Sequence, residues 1–157
     1  MKPTLYLETT IPSYLVSRPS RDIIIAANQQ TTKNWWDRRR GEFDLYISQF
    51  VLQEAEAGDA SAARERVRLL KGLPTLRTTV EVGRFATEIM ESGILPKKAS
   101  LDAMHIAIAA LSGMDYLMTW NCVHIANAMN LKRIDSLCRD RGIECPVICT
   151  PAELLGD

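Results

Sequence analysis

The stretch Ser100-Leu101-Asp102-Ala103-Met104-His105-Ile106-Ala107-Ile108-Ala109-Ala110-Leu111, followed after Gly113 by Asp115-Tyr116-Leu117-Met118-Thr119-Trp120-Asn121, decides the fold. Its first half is apolar on most sides, which predicts a helix buried around most of its circumference. Its second half reads as a short apolar strand ending in a polar residue. A buried helix feeding a buried strand belongs to an α/β protein in which helices cover both faces of a mainly parallel sheet.

The rest of the chain repeats the alternation. Thr4 to Glu8 reads as a first strand, and Thr9 or Thr10 is placed to cap a short helix with Pro12 in its first turn. Ser20 is expected to cap a longer helix with Asp22 in its first turn, ending at Arg38-Arg39-Arg40 and stopped by Gly41. Asp44 to Ile47 is a second strand, Ser48 caps a helix to Ala57 that Gly58 ends, and Asp59 opens another to about Lys71. Thr75 to Thr78 reads as a brief strand and Val80 to Glu91 as a helix. Beyond Asn121, a helical region from Val123 to Arg141 is expected to break near Met129. Cys145 to Cys149 reads as a last strand, and Thr150-Pro151 as the start of a short terminal helix. No repeat or linker interrupts the series, so residues 1–157 are expected to form a single domain with right-handed crossovers.

Composition bounds the function. Lysine plus arginine equals aspartate plus glutamate, so net charge is zero and gives no support for broad binding to nucleic acid. No apolar run approaches membrane-spanning length and no export signal opens the chain, which predicts no membrane and a cytoplasmic location. The four cysteines, Cys122, Cys138, Cys145 and Cys149, match no zinc ribbon; Cys122-x-His124 is the one pairing of note, and reduced thiols are the expected state.

Four polar residues stand at the ends of apolar stretches: Glu8, Glu54, Asp102 and Asn121. In a parallel sheet the crevice at the carboxyl ends of the strands is where ligands bind. Three acids and an amide pointing toward that crevice suit a hard divalent cation, which takes oxygen ligands. Glu8 is the most telling, because a charge that ends a buried strand needs a partner or a solvated crevice. Positive charge gathers at Arg38 to Arg40, along Arg64 to Lys71, at Lys97-Lys98 and at Lys132-Arg133. Lys97 and Lys98 directly precede the helix bearing Asp102, which makes them the foremost candidates for phosphate contacts. Trp35 and Trp36 offer base-stacking surfaces, although one is expected in the core and the other at a protein interface.

These residues resemble the PIN domain family, the nuclease fold of many toxins in type II toxin–antitoxin pairs. Leu7-Glu8-Thr9-Thr10 is similar to the family's first strand end, and Ser48 with Glu54 six residues on to its second motif. Asp102-Ala103 followed by a small-residue apolar helix resembles the third, and Gly113 to Asn121 the fourth. The chain departs from the family at Glu8, where aspartate is usual, and at Asn121, where a fourth acid is usual.

The resemblance implies a three-layer α/β/α PIN-like fold and a metal-dependent endoribonuclease. Glu8, Glu54 and Asp102 would hold Mg2+ or Mn2+, with Asn121 completing the catalytic set. Thr10, Ser48, Thr119 and His105 would support it, with Thr10 and Ser48 hydrogen-bonded to the carboxylates. It also implies an RNA substrate, a protein antitoxin as partner, and a homodimer. A PIN-like module that binds RNA or a protein without cutting is the other reading, which Asn121 favours. A phosphatase of another metal-using α/β fold would need Asp-x-Asp after the first strand, and Glu8-Thr9-Thr10 does not supply it.

Overall fold

The computed structural model describes residues 1–157. Five strands, β1 (Thr4–Leu7), β2 (Asp44–Ser48), β3 (Thr75–Leu76), β4 (Tyr116–Met118) and β5 (Val147–Cys149), form one sheet in the order β3-β2-β1-β4-β5. All four pairings are parallel, so every strand's carboxyl end lies on the same edge. The first strand is the middle one: Tyr6 is level with Tyr46 on one side and Leu117 on the other. That position explains why Leu5, Tyr6 and Leu7 are all fully buried.

Seven helices flank the sheet: α1 (Thr10–Val16), α2 (Ile23–Arg38), α3 (Gln49–Ala55), α4 (Ala60–Leu70), α5 (Val80–Glu91), α6 (Ser100–Leu111) and α7 (Ala128–Asp140). The expected α/β/α arrangement around a parallel sheet is present. Helix α6 spans the expected residues, with Ala103, His105, Ile106, Ala107, Ile108, Ala109 and Ala110 all buried. It shares a 30-residue apolar core with residues of β1, β2, β4 and β5. Trp35 belongs to that core, whereas Trp36 is half-buried beneath the Arg40 guanidinium, 4.9 Å from its ring centre. No helix is long and apolar enough to cross a membrane.

Caps decide most boundaries. Ser48 and Asp59 cap α3 and α4 as expected, accepting from Val51 N and Ala62 N. Asp22, not Ser20, caps α2: its carboxylate takes the N–H groups of both Ile24 and Ile25, while Ser20 Oγ accepts from Asp22 itself. Helix α2 ends at Arg38, and Gly41 falls inside a 3-10 turn over Arg40–Glu42 instead of stopping the helix. The break expected near Met129 lies earlier, because Asn127 caps α7 by accepting from Met129 N. β3 and β4 are shorter than expected, and β5 begins at Val147. The terminal helix is absent: Glu153 closes back on the N–H and hydroxyl of Thr150, and residues 151–154 remain turns.

Candidate functional site

Glu8 follows the last residue of β1 and extends the pairing, its N–H donating to Met118 O at 3.1 Å. The side chain is only 4% exposed. Its Oε1 accepts from Thr10 N at 3.0 Å, from Thr10 Oγ1 at 2.5 Å and from Thr119 Oγ1 at 2.7 Å. Neither Thr9 nor Thr10 therefore caps α1 with its own hydroxyl, as the sequence suggested; the Glu8 carboxylate serves the helix start instead. Both threonines are fixed in turn, Thr10 Oγ1 accepting from Trp120 N and Thr119 Oγ1 from Asn121 N. No arginine or lysine pairs with Glu8, and nothing in the protein bonds its second oxygen.

Glu54 reaches the same edge from the last turn of α3. Its Oε1 accepts from Thr9 Oγ1 at 2.8 Å and meets His105 Nε2 at 2.5 Å. Behind it runs a buried chain: His105 Nδ1 lies 2.6 Å from the Tyr6 hydroxyl, which lies 2.7 Å from Ser48 Oγ. One proton arrangement satisfies every member, with Ser48 donating to Tyr6, Tyr6 to Nδ1, and Nε2–H to Glu54. Burial would push the Glu54 carboxyl up, but the His105 and Thr9 hydrogen bonds outweigh it, so its pKa lies below the ordinary value. Burial drives the Tyr6 hydroxyl well above its ordinary value, and the charges of Glu8 and Glu54 add to that against the Ser48 bond; it stays protonated. Ser48, expected to bond a carboxylate directly, acts on Glu54 only through Tyr6 and His105. Tyr6 was invisible as a polar hub, because a tyrosine in Leu5-Tyr6-Leu7 reads as one more apolar strand residue.

One ligand atom each from Glu8, Glu54 and His105 lie within 4.8 Å of one another. Asp102, in the first turn of α6, belongs to a second group. Its Oδ2 is 2.8 Å from His124 Nδ1, and Asn121 Oδ1 accepts from His124 N at 3.0 Å. Asn130 Nδ2 donates to His124 O at 3.0 Å, so the histidine is held at both backbone ends. The structure thus joins Glu8 to Glu54, and Asp102 to Asn121 through His124. His124, noted in the sequence only beside Cys122, lies in the turn between β4 and α7, three residues after Asn121.

Lys97 and Lys98 are exposed in the loop before α6 and form no ion pair. Much of the other positive charge is spent structurally. Arg66 donates to Ala55 O and Ala57 O at the end of α3, Arg39 pairs with Glu42, and Arg133 donates to Ser92 O. Arg64, Arg68 and Lys71 line an open cavity of about 430 Å³ on α4 that includes none of the four predicted site residues.

No family model and no curated protein matches the sequence. Among solved structures, a chain of VapBC2 from Rickettsia felis, crystallised bound to a DNA fragment from its promoter, matches with a TM-score of 0.58. The match covers 94% of this chain and 98% of that one at 15% identity. Identity that low speaks for the fold alone: a PIN-like α/β fold with one parallel five-stranded sheet.

Proposed function

We propose that the protein is a divalent-metal-dependent ribonuclease that hydrolyses RNA phosphodiester bonds, the toxin of a type II toxin–antitoxin pair. One observation carries the reading. Two carboxylates, Glu8 and Glu54, face one another within 4.8 Å, with no lysine or arginine between them. Like charges that close, with Glu8 buried and Glu54 33% exposed, are eased by a cation, and each acid keeps one oxygen free of protein donors. Oxygen donors suit Mg2+ or Mn2+, held in this reading by Glu8 and Glu54 with Asp102 as the third acid. When bound, such an ion lowers the pKa of water and neutralises charge developing on a phosphoryl oxygen.

The chain's own residues prepare that site. Thr10 and Thr119 fix one oxygen of Glu8, and Thr9 and His105 fix one of Glu54, so neither carboxylate pays much rotamer entropy on loading. Asp102 and Asn121 hold His124 in place, and the exposed Lys97-Lys98 supply positive charge for the substrate backbone. The exposed Ile23 and Ile24 at the start of α2 offer an apolar surface for a second copy and for a protein antitoxin. The VapBC2 likeness supports a protein partner of this kind, and a cytoplasmic setting suits an RNA substrate.

A specific observation favours the other reading, a module that grips RNA without cutting. The Asn121 side-chain oxygen is committed to His124 N and adds no charge beside Asp102. Incubating the protein with single-stranded RNA in Mg2+ and in Mn2+ separates the two. Cleavage abolished by chelation and by Glu8→Gln is the expected result; metal-dependent binding without any cleavage would move the protein to the second class.

A further inference from the structure

We propose that Tyr14 and Trp120 form a stacking platform for a nucleobase of single-stranded RNA, directly beside Glu8. The inference rests on the ribonuclease reading and names where the substrate's base lies. The two rings are 6.1 Å apart at their centres and only 15° from parallel. Every other aromatic pair in the molecule is tilted or edge-on, from 42° for Trp35 with Phe43 to 89° for Phe43 with Tyr116. Those pairs interlock within or against the core, where edge contacts fill space. Tyr14 and Trp120 both remain partly exposed, and a parallel half-open pair presents the flat apolar surface on which a base stacks.

The platform is rigid and tied to the acids. Trp120 N donates to Thr10 Oγ1 at 2.8 Å, and the same hydroxyl donates to Glu8. Its indole Nε1–H donates to Thr32 Oγ1 at 2.7 Å, anchoring the ring to α2. Tyr14 stands one helical turn beyond Thr10 on α1, so both rings hang from the residue that orients the Glu8 carboxylate. The Tyr14 hydroxyl has no hydrogen-bond partner in the protein. Burial holds its pKa above the ordinary value, with Cys122, Glu8 and Asp22 adding to the shift, so the ring stays neutral and does not repel a phosphodiester. An aliphatic protein partner has a better-matched surface at Ile23 and Ile24, which leaves the aromatic pair for a π-face.

The test is fluorescence anisotropy of a labelled octamer of adenylate, its uridylate counterpart and an RNA duplex of equal length, in calcium buffer. Tyr14→Leu keeps bulk without a π-system and is expected to weaken adenylate binding by about 5- to 150-fold, the range a lost base stack implies. Tyr14→Phe should bind as the wild type does, uridylate should lose less than adenylate, and the duplex, whose bases are already stacked, should lose least. Tryptophan fluorescence should quench on adding the adenylate octamer, and less so in Tyr14→Leu. Unchanged adenylate binding by a folded Tyr14→Leu protein that still cleaves RNA would overturn the platform and leave the nuclease reading standing. Equal losses for octamer and duplex, or a loss of self-association with RNA binding intact, would also overturn it. A wild type that binds metal but no RNA overturns both.

Discussion

Strand β1 is clasped to β4 at each end by an acid and a threonine, and the two clasps differ in what else they hold. At the amino ends, Asp115 Oδ2 accepts from Thr4 N at 2.7 Å and Thr4 Oγ1 at 3.0 Å, while Asp115 N donates to Thr4 Oγ1. At the carboxyl ends, Glu8 accepts from Thr119 across the same pair of strands and from Thr10 beside it. The bonding is alike. Asp115 is exposed, so water solvates whatever the threonine leaves over. Glu8 is buried and has Glu54 within 4.8 Å. An acid that bonds a threonine is ordinary strand-end chemistry; burial with a second carboxylate makes the same clasp the candidate for a cation site.

The comparison can be broken at several strengths. The largest effect should come from the scaffold both clasps share. Ile106→Ala on α6 is expected to cost about 2–5 kcal/mol in a urea melt, and a loss below about 0.5 kcal/mol would deny that this helix is core. Next comes the cation itself. At a hundredfold excess over its Kd, Mn2+ should add about 2.7 kcal/mol to the wild type and to Asp115→Asn, but little to Glu8→Gln. A thermal melt reads this directly, and equal metal shifts in Glu8→Gln and Asp115→Asn would erase the distinction between the two ends.

Acidity sharpens the contrast further. The Glu54 carboxyl titrates below its ordinary 4.5, so in metal-free protein its stabilising contribution is complete above that value and is lost as pH falls through the folded pKa. The stability gap between wild type and Glu54→Gln should therefore be constant from neutral pH to about pH 5 and close at more acid pH. A gap that widened with acid would mean the carboxyl is held up, not down. The smallest effect belongs to the open clasp: Asp115→Asn should cost no more than about 1.5 kcal/mol without metal, the net worth of ordinary hydrogen bonds.

The sequence made some of these features plain and hid others for identifiable reasons. Helix α6 was legible to the residue because its apolar character and the flanking Ala99 and Ser112 left no competing structure. Glu8 was legible because a charge at the end of the buried run Leu5-Tyr6-Leu7 needs a partner or a solvated crevice. The Ser48–Tyr6–His105–Glu54 chain was not, since it joins residues from β1, β2, α3 and α6 that only the sheet order brings together. The caps at Asp22 and Asn127 were missed for a local reason. Each side chain competes with neighbours of similar chemistry, and the winner is set by backbone geometry that composition does not carry.

The central place of β1 also sets a timetable. Glu8 is synthesised before its partner Thr119, which lies 111 positions later in the chain. At roughly 5–20 residues per second, the acid therefore waits about 5–20 s before the strand that completes its clasp exists. Until then the chain carries the glutamate without its socket, and a nascent or truncated product ending before β4 has no site to load. With β1 between β2 and β4, the proposed cation site waits on a strand made more than a hundred positions after the acid it holds.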